Sequence, residues 1–200
     1  MTNSGIPSLI GGFSNKASDS LACYSTLHEA TSNPATIFQL PVTVAAPRGL
    51  MMGAVVILLT LADAETPVWL APECDTTEAR AHLLFHTGCP IVAEPELAAF
   101  AVMSVERDLS ITKDLGLGLA EYPDRTATVI LESERLIDGE GPLFHGPGMT
   151  EPRRFCVEEH PPSLWVHIAA NQALFPRGVD WIFASPTELA ALPRSTKIEL

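Results

Sequence analysis

No two cysteines in this chain are spaced Cys-x-x-Cys. The four present, Cys23, Cys74, Cys89 and Cys156, lie far apart. That scatter argues against structural zinc, a redox dithiol or an iron–sulfur cluster, and it suits reduced thiols in a cytosolic protein. No serine stands in a Gly-x-Ser-x-Gly elbow, and no glycine-rich loop leads into Gly-Lys-Ser/Thr, so two common routes to catalysis and nucleotide binding find no anchor. Positive charge is scarce, with 12 Lys and Arg against 24 Asp and Glu and a formal net charge of -12. Such a surface repels phosphate backbones and anionic headgroups, which excludes nucleic acid and membranes as expected partners of its bulk. It still permits a small phosphorylated ligand held by one arginine or a nest of backbone N–H groups. The most lipid-like run, Leu50 to Ala62, has thirteen residues; as a helix it is about 20 Å long against roughly 30 Å of hydrocarbon. It reads as a core helix.

The first seventeen residues carry one charge, Lys16, and lack the basic start and long apolar region of a secretory signal. Residues 1–17 are therefore expected to form a flexible tail, residues 18–200 one α/β domain, and the protein is expected in the cytoplasm. A length of 200 residues with 46% hydrophobic content suffices for one sizeable core. No internal repeat or long linker divides it.

Seventeen prolines punctuate short elements. A first helix is expected from Asp19 to Thr31, stopped by Ser32-Asn33-Pro34, then a strand over Thr36 to Leu40. The run Leu50 to Ala62 is apolar all round, the mark of a buried helix, and Val68 to Ala71 follows as a buried strand. Asp75-Thr76-Thr77-Glu78 has the form of a capping box with Asp75 as the cap, opening a helix to about Thr87 that stops at Gly88. Ile91 to Ala93 and Ala99 to Val102 are short strand candidates, and Thr126 to Glu132 alternates with period two. A Gly- and Pro-rich loop is expected around Gly139 to Gly148, and a helix over Pro162 to Gln172. Val179 to Ala184 should pair with Leu189 to Leu192 across Ser185-Pro186-Thr187-Glu188, with Lys197 to Leu200 adding an edge. Strands interspersed with helices and closed by a hairpin imply a three-layer α/β/α sandwich with a mixed sheet.

Few residues could carry chemistry. His82 and His86 are four apart on the expected helix, so both imidazoles share a face with Glu78 one turn earlier. That spacing can serve a metal, but Leu83-Leu84-Phe85 supply no general base between them, and packing with a favourable place for His86 near the helix end is the competing reading. Gly146-Pro147-Gly148 could cradle a phosphate or make a tight turn, and the proline removes one donor. Arg194, before Ser195 and Thr196, could grip a phosphate or a partner's carboxylate, or simply keep a strand edge soluble. Asp63 and Glu65 sit where a helix gives way to a turn, which favours capping over acid–base work. His86, Gly146, Gly148 and Arg194 are thus the candidate ligand or partner contacts. No catalytic residue and no metal ligand is assigned.

Several of these stretches occur together in one known family. Leu58 to Leu70 as helix, turn and strand, Phe85-His86-Thr87 with Pro90, Thr126 to Leu131, Gly146-Pro147-Gly148-Met149, Phe175-Pro176-Arg177-Gly178-Val179-Asp180 and Leu192-Pro193-Arg194-Ser195-Thr196 follow one another in its order. On these motifs the chain, over about residues 18–200, resembles the H subunits (PhnH) of the bacterial carbon–phosphorus lyase system. It departs from the family at Tyr24-Ser25, where Phe-Arg is usual, and at Ala35, where a glycine follows the proline. The resemblance implies an accessory, non-catalytic subunit of an assembly with the G, I and J subunits. That assembly transfers ribose triphosphate from ATP to an alkylphosphonate and then cleaves the carbon–phosphorus bond. It also implies a homodimer and a fold similar to a reduced large domain of pyridoxal-phosphate-dependent transferases, with no cofactor. Only Lys16, Lys113 and Lys197 could form a Schiff base, and none is expected in a closed pocket. The alternatives left open are an autonomous metal- or pyridoxal-phosphate-dependent enzyme, and a dimer that binds nucleotide or phosphonate without turning it over.

Overall fold

The computed structural model describes residues 11–106, 109–118, 121–122 and 125–200. Helix α1 spans Lys16–Ser32 and begins three residues before the expected start. The reason is a cap the sequence reading passed over: the Asn15 side chain accepts from the Ser18 N–H at 3.3 Å, while the Asn15 N–H donates to Asp19 Oδ2 at 2.9 Å. Of the expected tail, residues 1–10 lie outside the described residues, and Phe13 packs against the helical core.

Strand β1 (Phe38–Gln39) precedes helix α2 (Met52–Leu61), strand β2 (Val68–Leu70) and helix α3 (Thr77–His86). The cap of α3 is Thr76, whose Oγ1 accepts from the Ala79 N–H at 3.0 Å. Asp75, expected in that role, pairs instead with Arg80. Strands β3 (Ile91–Val92), β4 (Phe100–Ser104) and β5 (Thr128–Glu132) follow.

The segment expected as a Gly- and Pro-rich loop is mostly strand β6 (Leu136–His145), paired antiparallel with β7 (Arg153–Val157). An irregularity between Asp138 and Leu143 absorbs the Gly139-Glu140-Gly141-Pro142 stretch. Helix α4 (Leu164–Gln172), strands β8 (Asp180–Ala184) and β9 (Glu188–Leu192) and the short β10 (Lys197–Glu199) complete the chain. The β8–β9 hairpin has the expected partners, with Trp181 opposite Leu192 and Ala184 opposite Leu189. Strand β10 does not extend that hairpin. It pairs with β6 in a second sheet.

The main sheet has the order β1-β9-β8-β5-β4-β2-β3, parallel from β3 to β8 and antiparallel at β9 and β1. It is a mixed sheet in a mixed α/β protein. Alternation along the strands divides the core in two. Val68, Leu70, Val102, Ile130 and Ile182 face α1, α2 and α3. Trp69, Met103, Leu131, Trp181 and Phe183 face the other way, onto Leu164, Trp165 and Ile168 of α4 and onto Phe144 and Phe155 of β6 and β7. The second face is therefore covered by one helix and a three-stranded sheet, where the sequence led to an expectation of helices. Helix α2 sits very close to the sheet, because a Cβ built on Gly53 would lie 2.3 Å from the Ser185 carbonyl oxygen. Only glycine allows that approach.

Candidate functional site

Arg194 lies in the turn that carries β9 into β10, closed by a hydrogen bond from the Thr196 N–H to the Pro193 carbonyl at 2.8 Å. Its backbone N–H donates to Asp180 Oδ1 at 2.8 Å and its Nη1 to Asp180 Oδ2 at 3.2 Å. Both carboxylate oxygens at the head of β8 are thus engaged by one arginine. The loop after β6 abuts the same turn, since a Cβ on Gly146 would be 3.3 Å from the Ser195 carbonyl oxygen. Gly148, at φ 82°, presses against the end of α1, where a Cβ would lie 2.4 Å from the Ser32 carbonyl oxygen. The Met149 N–H closes this loop on the Gly146 carbonyl at 3.2 Å. Gly146, Gly148 and Arg194 accordingly form one neighbourhood that ties α1, the second sheet and the β9–β10 turn together.

His86 is elsewhere, at the end of α3. Its ring centroid lies 4.4 Å from that of His82 and 4.9 Å from that of Phe85, the latter edge to face. Gly12 closes over it so tightly that a Cβ there would meet Nδ1 at 2.6 Å. Burial pushes the His86 pKa below its ordinary value and the nearby Lys16 ammonium adds to the push, so the imidazole is neutral at neutral pH. Both line an open cavity of about 330 Å³ with Phe13, Leu59 and Phe85. An ammonium beside a neutral imidazole can hold a small anion, and the described residues lining the cavity include no serine, threonine or cysteine for either group to activate. Among the described residues no three His, Cys, Asp or Glu side chains are grouped to hold a metal ion.

A third feature was not singled out from the sequence. The sheet order reverses between β2 and β4, the place where open α/β sheets leave a crevice at their carboxyl ends. Glu132, the last residue of β5, pairs with Ser104 at the end of the neighbouring β4 and is only 4% exposed. Its Oε1 accepts from the Met51 N–H, ahead of α2, at 2.6 Å, and the Cys74 thiol donates to its Oε2 at 3.7 Å. Burial raises its pKa to about 7 against the lowering by those two donors, and Glu73 and Glu134 raise it further. Glu73 is itself placed by the Ser104 N–H, which donates to its Oε1 at 3.3 Å.

Comparison with known proteins bears on these features. Residues 11–199 match the family described as bacterial phosphonate metabolism protein (PhnH). The chain belongs to the PhnH family. It is 31% identical over 192 residues, 94% of each chain, to the alpha-D-ribose 1-methylphosphonate 5-triphosphate synthase subunit PhnH of Rhizobium meliloti (strain 1021). It is also 37% identical over 110 residues, 54% of each chain, to HtxG of Stutzerimonas stutzeri, a protein with C-P lyase subunit in its name.

Within the family frame, the structure brings Gly146, Gly148 and Arg194 together and leaves His86 elsewhere, lining the cavity beside Lys16. All three lysines, Lys16, Lys113 and Lys197, are exposed among the described residues. Asp63 accepts from the Glu65 N–H at 2.9 Å and the Thr66 hydroxyl at 2.7 Å, the geometry of a turn cap. The signal that could have exposed Glu132 is its place at the end of the apolar run Val129-Ile130-Leu131, but its burial follows only once α2 is set across the sheet.

Proposed function

We propose that this chain is an accessory subunit of the carbon–phosphorus lyase core assembly, supporting formation of ribose 1-alkylphosphonate 5-triphosphate from ATP and an alkylphosphonate. The observation that carries the reading is the 94% coverage of both this chain and the R. meliloti synthase subunit. In this reading it works in the cytoplasm as a homodimer with the G, I and J subunits, as one unit over residues 18–200, and its fold is akin to a reduced pyridoxal-phosphate-dependent transferase large domain. The five parallel strands β3, β2, β4, β5 and β8 support that kinship. No helix among the described residues is long and apolar enough to cross a membrane.

A non-catalytic role is supported by what the candidate polar groups do. Arg194 spends its donors on Asp180 and Asp63 caps a turn, while Glu132 is enclosed between α2 and the segment after β2. In the same reading His86, Gly146 and Gly148 are contacts for a ligand or a sister subunit, and Arg194 joins them through the guanidinium nitrogens that Asp180 does not engage. The test is co-expression with the G, I and J subunits followed by size-exclusion chromatography and assay of adenine release from ATP with methylphosphonate. Co-elution, and adenine release that requires this chain, is the expected result. Separate elution, or release by this chain alone, would sink the reading.

A further inference from the structure

Strand β7 opens with two arginines, Arg153 and Arg154, and both border an open cavity of about 370 Å³ together with Ala35, Thr36, Asp138 and Gly139. The cavity lies where the link from α1 to β1 meets the irregular stretch of β6. Each guanidinium is held by one of its nitrogens. Arg153 Nη1 donates to the Pro34 carbonyl at 3.2 Å and to Thr36 Oγ1 at 2.6 Å, a clamp on either side of Ala35, whose φ of 59° is left-handed. Arg154 Nη1 donates to the Gly141 carbonyl at 2.7 Å.

These bonds leave the same part of both side chains over. The Nε and Nη2 edge of each guanidinium, the fork that fits two oxygens of one anionic group, has no partner among the described residues. Carboxylates do not neutralise the pair. Arg80, Arg135 and Arg194 are ion-paired within the chain, whereas Arg153 and Arg154 form no ion pair among the described residues, and Asp138, on the same cavity, is bonded to neither. On a chain of net charge -12, two unneutralised cations in one concavity draw anions to that place and away from the rest of the surface. Two neighbours suit such a ligand. Gly139 leaves open space where a Cβ would stand, and the Thr36 hydroxyl, which accepts from Arg153, still has its own proton to donate.

The strand narrows the ligand further. Consecutive strand residues leave the backbone on opposite sides, so a single small ion or one carboxylate meets one fork, whereas a chain of linked phosphates reaches both. We propose that this cavity binds an oligophosphate, the chemistry of the phosphate chain of a nucleoside triphosphate, with one phosphate group on each arginine fork. The inference does not rest on the subunit reading, which stands or falls by co-elution.

The experiment is isothermal titration calorimetry of the purified full chain, in magnesium-free buffer, with inorganic phosphate, inorganic tripolyphosphate and ATP. Tripolyphosphate should bind about tenfold or more tightly than phosphate, and its affinity should fall as salt rises from about 50 to about 500 mM. ATP should match tripolyphosphate, because no aromatic side chain lines the cavity to stack a base. Arg154→Gln should weaken tripolyphosphate about tenfold; Arg154 is exposed and its Nη1 holds one carbonyl, so this variant keeps the fold, as circular dichroism checks. Arg153→Gln should weaken it as well but also loosens the Pro34–Thr36 link. Asp138→Asn should tighten binding, since it removes a like charge from the cavity. The absence of heat with all three ligands would overturn the proposal. So would phosphate binding as tightly as tripolyphosphate, which means a single fork, or a tripolyphosphate affinity unchanged in Arg154→Gln, which means another site.

Discussion

The Met51 N–H donates to Glu132 Oε1 at 2.6 Å, so the approach to α2 is pinned to the end of β5 by a carboxylate that is almost wholly buried. The bond joins the first residues of one core element to the last residue of another. It also encloses a charge where burial opposes charge.

Stability should therefore depend on pH through this group, against the opposite contribution of His86 and His160, whose pKa values burial lowers. The folded pKa of Glu132, about 7, lies above the ordinary glutamate value of 4.5, so between those values the folded state holds a proton that the unfolded state has released. The stabilisation from that proton is complete below 4.5 and is lost as pH rises through 7. The full swing is about 3 kcal/mol. Glu132→Gln keeps an oxygen to accept from Met51 and removes the charge, so urea unfolding at pH 8 should show the variant more stable by about 1 to 3 kcal/mol, with little difference at pH 4.5. A difference between variant and wild type that stays constant from pH 4.5 to 8 would contradict this.

Arg194 and Asp180 should behave as a coupled pair. The guanidinium is only 17% exposed and shares the carboxylate with its own backbone N–H, so Arg194→Ala should cost about 1 to 2 kcal/mol. A double-mutant cycle with Asp180→Asn should return a coupling energy near 1 kcal/mol. Additive effects in chemical denaturation would mean that Arg194 is free to serve a ligand instead.

How far the sequence reveals this protein depends on whether a segment's neighbours are near in the chain. Helix α2 and the β8–β9 hairpin are legible because an unbroken apolar run and a Ser-Pro-Thr-Glu turn act locally. Strand β6 is not, because Gly139, Gly141 and Pro142 interrupt its alternation and the pairing with β7 is restored only past the irregularity. The proximity of His82 and His86 follows from spacing on one helix, but the cover that Gly12 places over His86 comes from residues more than seventy positions away. Glu132 is hidden for the same reason, since Met51 and Cys74 reach it only through the sheet order.

His86 should titrate below the ordinary histidine value of 6.5, chiefly because it is buried and secondly because Lys16 is near. Lys16→Gln removes the smaller cause, so the pKa should rise and yet stay under 6.5. Carbon-13 NMR of the imidazole across pH 4 to 8 reads both values directly. A decrease on removing Lys16 would place the ammonium away from the ring.

Three glycines separate backbone strain from steric exclusion. Gly139 has φ 74° with open space around its missing Cβ, so Gly139→Ala should cost only the left-handed penalty of about 1 kcal/mol. A Cβ on Gly53 meets the Ser185 carbonyl oxygen at 2.3 Å inside a helix of ordinary hand. Gly53→Ala must therefore lift α2 off the sheet, at about 1 to 3 kcal/mol. Gly148 carries both burdens, φ 82° and a contact at 2.4 Å with the Ser32 carbonyl oxygen, so Gly148→Ala should be the worst of the three, at about 2 to 4 kcal/mol. Thermal unfolding of the three variants should rank them Gly139, Gly53, Gly148 in increasing damage. If Gly148→Ala instead melted like Gly139→Ala, the loop after β6 could not be seated on the end of α1, and the neighbourhood that joins Gly146, Gly148 and Arg194 would come apart with it.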